Sequence, residues 1–368
     1  MTSDQNRFLH ITYPRTASNL LLKVLALETH ENVHMTPDGG GPQVGNGYFF
    51  MRNQMLKGKM CTHGKNMSEW TEEQKTRLQE STRKSQQTII LQLLASEPLN
   101  ADDVIAESCF NDLEAYAQAA SAQGKIAFVK EHIHFMTEPV AQEKFLFGEN
   151  TTTQPPLTIT LPPSYGVEGI RTPGNDTIFP DEFLRTWRPT LLIRHPALVF
   201  PSYYRACLDL PQFKSTDSQF DLFMTFPWQR RLHDWYLSQS ASLNLANDKD
   251  VSWPIVLDAD DIIADPAVVV RYCDIIGINA EKLKFEWAPV TADERAKIGN
   301  PAVERLLSCI LASSGIQKDK VATNINIVAE AVKWKKEFGD IVGGKMEKWI
   351  ENVMPEYEFM KARKLKAN

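Results

Sequence analysis

Four short apolar, β-branched runs punctuate the chain, and each passes quickly into a stretch that reads as helix. They are FLHITYP (8–14), KIAFVKEH (125–132), PTLLIRHP (189–196) and WPIVLDADDI (253–262). Continuous apolar runs of this length suit strands buried on both faces, and their alternation with helices suits a mostly parallel sheet. The expected fold class is therefore α/β: a three-layer αβα sandwich around four or five strands. Open α/β folds run long as single units, so residues 1–368 are expected to form one domain.

The segments between the strands follow that plan. RTASN (15–19) joins the first strand to the helical LLLKVLALE (20–28), with Ser18 or Asn19 placed to cap it. Residues 36–50 are a glycine-rich loop, 70–94 read as helix and DVIAES (103–108) as a short strand. LEAYAQAASAQG (113–124) should end its helix at Gly124. Helices are also expected over 197–210, with Pro201 near the start, and over 227–245. Another spans 265–278, with Pro266 at its first position and Gly277 at its end. The last hundred residues read as mainly helical. The stretch from about 148 to 180 is rich in Pro and Thr, and is either an active-site cover or a disordered insert. Tyr165, Ile170 and Phe179 favour the cover, as anchors.

Composition narrows the function. Acids outnumber bases 46 to 40, a net charge of -6, which argues against a dedicated nucleic-acid binder but leaves room for a local anion site. The five cysteines are scattered and odd in number, which fits a reducing, cytoplasmic setting without structural zinc. No apolar run is long enough for a membrane helix, and the first residues lack a secretory pattern.

Several clusters can carry chemistry. Thr12 to Leu20 follow the first strand, where backbone N–H groups at a helix start form an anion nest and Arg15 adds fixed charge. The alternative is a capped helix with Arg15 at the surface. No G-x-x-x-x-G-K-[ST] loop and no G-x-G-x-x-G turn is present, so an ordinary ATPase or a nicotinamide enzyme is disfavoured. Lys130-Glu131-His132-Ile133-His134 closes the second run, where a histidine suits general-base work. If that strand continues, Lys130, His132 and His134 share one side. The alternative is a pair of solvated or core histidines. Arg194 ends the third run, and Ser202 lies where strand end and helix can grip one phosphate together. An arginine that merely caps the sheet is the plainer reading. Asp258, Asp260 and Asp261 either bind a metal or cap the next helix.

Taken in order, these motifs resemble the sulfotransferases that use 3′-phosphoadenosine 5′-phosphosulfate (PAPS), a P-loop-like fold. TYPRTASNLL is similar to the loop that cradles the 5′-phosphosulfate, and LLIRHPALVFPSYYR to the segment that binds the 3′-phosphate. FVKEH resembles the strand end that carries the lysine and catalytic histidine. The run PIVLDADDIIADPAVVVRYCDIIGI resembles the late strand, turn and helix. KWKKEF (333–338) resembles the Trp-Lys segment that closes over the nucleotide. The chain departs from the cytosolic pattern at Arg15 (Lys there), Ala17 (Gly) and Leu20 (Trp), and lacks the basic triplet before Trp334. Ala17 must avoid a positive φ or accept strain. The closest pattern is that of divergent bacterial and fungal members, the latter often linked to secondary metabolism.

The resemblance implies transfer of a sulfuryl group from PAPS to a hydroxyl of a small, aromatic or secondary-metabolite acceptor, leaving adenosine 3′,5′-bisphosphate, without a metal. It implies His132 as base, with Lys130 and Arg15 as catalytic cations. Arg15, Thr16, Ala17, Ser18, Asn19, Arg194, Ser202 and Trp334 would hold the donor. His134, Glu131 and His63 are substitutes for His132. The aromatic residues at 48–50, Phe135, Tyr165, Phe223, Phe226 and Trp228, with Met136, are candidates for an acceptor wall. Sulfation as activation for elimination or cyclisation, an ATP-dependent phosphotransferase, and a non-catalytic nucleotide-binding homologue are the alternatives. A monomer or weak homodimer is expected, with no nucleic-acid or membrane partner.

Overall fold

The computed structural model describes residues 6–35, 47–51, 69–81, 109–166, 169–210, 219–239, 251–298, 301–323 and 325–367. Strands β1 (Arg7–Thr12), β2 (Ala127–His132), β3 (Arg188–Ile193) and β4 (Ile255–Asp258) form a four-stranded sheet in the order β2-β1-β3-β4. Every pairing is parallel. Three of the strands end before their apolar runs do, and β2 ends with its run at His132. Tyr13 and Pro14 turn away after Thr12, Pro196 opens a helix after β3, and Asp260 and Asp261 enter the helix after β4. The expected strand at 103–108, the end of the 70–94 helix and residues 240–245 lie outside the described residues.

Alternation along the strands sends side chains to two separate cores. Leu9, Ile11, Val129, Leu191 and Ile193 join the larger cluster, and Phe8, Phe128, Leu192 and Leu257 the smaller. On the smaller side lie α1 (Ser18–Leu25) and a later helix, Pro266–Ile276, which starts on Pro266 and ends at Gly277 with φ 78 as expected. The larger side is covered by α2 (Cys109–Ala122), α3 (Pro196–Leu208), α4 (Pro227–Gln239) and two C-terminal helices, Ile327–Phe338 and Asp340–Lys361. Helices on both faces of a parallel sheet make the αβα sandwich. Pro201 sits inside α3 rather than near its start, because Pro196 takes the first helical position.

The 148–180 stretch is not a free insert: of its three expected anchors Tyr165 and Phe179 hold, and Ile170 does not. Ile178 and Phe179 are buried, but Ile170 is 55% exposed. Asn175 donates to Asp181 Oδ1 at 2.8 Å and to the Phe179 carbonyl at 2.9 Å, while Tyr165 donates to Glu114 on α2 at 2.6 Å. Phe179 meets Phe50 edge-on at 4.9 Å, so this stretch backs the segment around Tyr48.

The chain runs from β1 to β2 on one side, then crosses back to β3 on the other. The carboxyl edge beside β1 is therefore the switch point, where open α/β sheets leave a crevice for ligands.

Candidate active site

The loop from Tyr13 to Ala17 is built on backbone strain. Arg15 (φ 68) and Ala17 (φ 63) are both left-handed, a conformation that costs a residue with a Cβ about 1–2 kcal/mol. Ala17 thus accepts the strain. Neither Ser18 nor Asn19 caps α1: Ala17 holds the cap position and supplies no side-chain acceptor. The first-turn N–H groups are left for something outside the helix, the arrangement of an anion site. Thr16 turns its hydroxyl back to the Tyr13 carbonyl at 2.7 Å, so it shapes the loop.

This strain makes an unusual substitution favourable. Ala17→Gly should raise stability by up to about 1 kcal/mol, the relieved left-handed cost minus the extra entropy of an unfolded glycine. A denaturant melt checks it, and a lower midpoint would refute the strain.

Parallel pairing sets Thr12 opposite His132 at the two strand ends. The Thr12 hydroxyl stands 3.2 Å from the Glu131 carbonyl and 2.7 Å from His132 Nδ1; with its proton given to the carbonyl, it accepts from a protonated Nδ1. Nε2 is then the lone-pair nitrogen, and it accepts from the Tyr48 hydroxyl at 3.0 Å. Burial, with the charges of His134 and Lys130, holds the His132 pKa well below its usual value, so the ring is neutral and ready to accept a proton.

Lys130 lies two residues earlier on the same side of β2, completely buried. Its ammonium donates to Asn19 Oδ1 at 2.5 Å and stands 4.2 Å from the centre of the Tyr48 ring. Burial lowers its pKa to about 7, against a weaker pull upward from Glu131. Glu131 points to the opposite face, accepts from the Phe50 N–H at 3.3 Å, and is pushed up to about 8, chiefly by burial. The second strand stops at His132, and Ile133–Met136 form one helical turn. The period-2 argument for His134 therefore fails. The turn nevertheless stacks the His134 ring on that of His132, with centroids 5.6 Å apart. His63 lies outside the described residues.

Arg15 and Arg194 meet at a second pole of the loop. Arg15 Nε donates to Ser202 Oγ on α3 at 2.9 Å, and Arg194 donates to the Arg15 carbonyl at 3.1 Å. Arg194 Nε is buried without an acceptor. Over both lies a segment that sequence reasoning did not implicate. The Leu306 carbonyl accepts from Arg15, the Cys309 thiol sits 3.8 Å from the same guanidinium, and the Lys320 carbonyl accepts from Arg194 at 2.8 Å. Trp334 is buried in the larger core on its C-terminal helix, at 2% exposure.

The aspartates after β4 resolve as structural. Asp258 caps the next helix through Asp260 N and meets the Tyr357 hydroxyl, Asp260 accepts from Ala322 N, and Asp261 pairs with Lys364. Among the described residues no group of three or more His, Cys, Asp or Glu could hold a metal ion. Of the aromatic wall, Phe49, Phe50, Phe226 and Trp228 are core, while Tyr48, Phe135 and Phe223, the last a core member as well, ring the histidine pair.

No helix among the described residues is long and apolar enough to cross a membrane. No protein-family profile matches the chain. Two curated fungal proteins do. Sulfotransferase ppzF of Metarhizium rileyi is 35% identical over 364 residues, spanning 98% of this chain and 97% of its own. Sulfotransferase ppzF of Metarhizium majus is 36% identical over 371 residues, spanning 100% and 99%. Among solved structures, a sulfotransferase from Alicyclobacillus acidocaldarius aligns over 83% of this chain and 96% of its own, at 13% identity and a TM-score of 0.30. The sulfotransferase domain of the Synechococcus PCC 7002 olefin synthase aligns over 90% and 94%, at 12% identity and a TM-score of 0.35. The end-to-end identity with the two Metarhizium proteins settles the lineage: the chain belongs to the sulfotransferase family, in a divergent fungal branch, and its chemistry is transfer of a sulfuryl group.

Proposed function

We infer that the chain moves the sulfuryl group of PAPS to a hydroxyl of a small organic, aromatic acceptor, with His132 as general base. The observation that carries this reading is the meeting of two features at one sheet edge. An uncapped helix start bordered by Arg15 stands beside a neutral histidine whose lone pair faces inward. The residues suit the donor: the strained loop offers N–H groups to a phosphosulfate, and Arg194, which holds the Arg15 carbonyl, has a buried, unused Nε.

PAPS would supply the activated sulfuryl group and a bisphosphate leaving group. Arg15, Ser18, Asn19 and the first-turn N–H groups of α1 bind and orient the 5′ end. Arg194 and Ser202 take the 3′-phosphate. His132 Nε2 accepts the acceptor's proton, while Thr12 fixes the tautomer. Lys130, buried beside Asn19, offsets charge that develops on the transferring group; preorganised charge in a dry site is the main lever in such in-line transfers. Trp334 supports the donor side only through packing on this reading. The Tyr48, Phe135 and Phe223 rings favour a flat acceptor over a sugar.

Calorimetric titration with adenosine 3′,5′-bisphosphate tests the donor class, with ATP and NADH as controls. Tight binding of the bisphosphate alone is expected, and preference for ATP would overturn the reading. Affinity for PAPS itself should fall with pH. Lys130 titrates near 7 in the free protein, so above that the bound anion must recruit a proton, and affinity drops by up to about tenfold per pH unit. Glu131, ionising near 8, adds repulsion in the same direction. Lys130→Met should flatten the dependence; an unchanged slope in that variant would show that Lys130 is not the group.

A further inference from the structure

Tyr48 has a position that the acceptor wall does not explain. Gly47 bridges to Lys130 on the outer edge of β2, so closely that a Cβ there would lie 2.0 Å from the Lys130 carbonyl oxygen. The next N–H, that of Tyr48, donates to that carbonyl at 3.0 Å. The backbone is thus fixed to the strand that carries Lys130 and His132. Tyr48 itself is left-handed, φ 60, a conformation a tyrosine holds only when its surroundings enforce it. What enforces it is the site. The ring lies under the Lys130 ammonium at 4.2 Å, against the His132 ring at 4.8 Å and edge-on to Phe135 at 5.9 Å. The hydroxyl donates to His132 Nε2, and the Ser18 side chain of the strained loop acts on the same oxygen.

On the donor reading above, the attacking hydroxyl must lie between the phosphosulfate loop and the lone pair of the base. That place is filled by the protein's own phenol. We propose that Tyr48 guards the bound sulfuryl donor against water, its hydroxyl holding the nucleophile's position until an acceptor hydroxyl displaces it. The reaction guarded against is hydrolysis. A water oxygen would bond to sulfur, its proton would pass to His132 Nε2, and the bond from sulfur to the 5′-phosphate oxygen would break. The products are sulfate, adenosine 3′,5′-bisphosphate and released protons. Water next to a base and an activated donor is the side reaction a closed site must suppress. Burial keeps the phenol protonated, with Glu131 reinforcing it, so it occupies the position as a donor to Nε2 and not as a phenolate. The side chain can leave by rotation while the Gly47 and Tyr48 backbone stays docked on β2.

The test needs no knowledge of the acceptor. Wild type, Tyr48→Gly, Tyr48→Ala and Tyr48→Phe are incubated with PAPS alone, and bisphosphate release is followed by chromatography. Tyr48→Gly suits the positive φ and removes the ring, so acceptor-free release should rise by about tenfold or more. Tyr48→Ala should rise comparably and serves as the second ring-less variant. Tyr48→Phe keeps the bulk and should rise less. Adding His132→Ala to Tyr48→Gly should abolish the gain, which simple loosening of the fold would not do. Ring-less variants that bind bisphosphate like wild type yet release it no faster overturn the guard and leave the donor reading intact. Loss of bisphosphate binding in the wild type overturns both. Sulfated Tyr48 in wild type, seen by mass spectrometry as one added SO3, also overturns it, because the residue would then be a nucleophile.

Discussion

Replacing His132 by alanine lowers kcat by roughly 10²–10⁴-fold, the range for loss of a positioned general base, while bisphosphate affinity stays close to wild type. The separation follows from the geometry. His132 makes its side-chain hydrogen bonds with Thr12 and Tyr48, and the loop cations Arg15 and Arg194 are held by other partners. Steady-state turnover with PAPS and a responsive hydroxylated acceptor measures the first quantity, and titration the second. The pH profile adds a constraint. Burial holds His132 neutral far below the ordinary histidine range, so kcat/KM should show no acid limb near 6.5 and should decline only at lower pH. His134, stacked at 5.6 Å, is the internal control. If His134→Ala is inactive and His132→Ala is not, the two exchange roles.

The strands and their order along the chain were legible because a buried parallel strand leaves a compact apolar signature. Arg15, Lys130, His132 and Arg194 were legible for a related reason. Arg15, His132 and Arg194 stand at or just beyond a strand end and Lys130 two residues before one, where a charged residue after an apolar run is conspicuous. What was not legible depends on contacts between distant segments. Thr12 looks like the last residue of a strand, and only the β1–β2 register, 120 residues apart, makes it the group that fixes the His132 tautomer. Tyr48 looked like one aromatic among nine wall candidates. Its hydrogen bond reaches across 84 residues, and its left-handed backbone has no sequence signature in a tyrosine. The cover over the arginines comes from Leu306, Cys309 and Lys320, at separations of 126 to 294 residues. Helical patterning there reports amphipathicity and not docking. The expected helix cap at Ser18 or Asn19 failed because Ala17, which has no side-chain acceptor, holds the cap position and both residues fall inside the helix.

Arg194→Ala is expected to weaken adenosine 3′,5′-bisphosphate binding by about 10- to 150-fold, the value of one charge-assisted hydrogen bond, about 1.5–3 kcal/mol. Adenosine 5′-phosphosulfate, which lacks the 3′-phosphate, should lose far less. The contrast between the two ligands carries the prediction, because Arg194 also has a structural task. It clamps the Arg15 carbonyl and the Lys320 carbonyl, and part of any loss will come from a loosened loop, felt by both ligands alike. Only the unequal part reports the 3′-phosphate. Its source is Arg194 Nε, buried with no acceptor of its own. Asp260 and Asp258 lie close enough to favour the charged guanidinium, so the arginine stays cationic despite its burial. Arg194→Lys separates the two tasks further: it keeps a positive charge but cannot span both carbonyls and a phosphate at once. Equal losses for the two ligands in the alanine variant would leave Arg194 as a clamp for the Arg15 loop and would move the 3′-phosphate elsewhere.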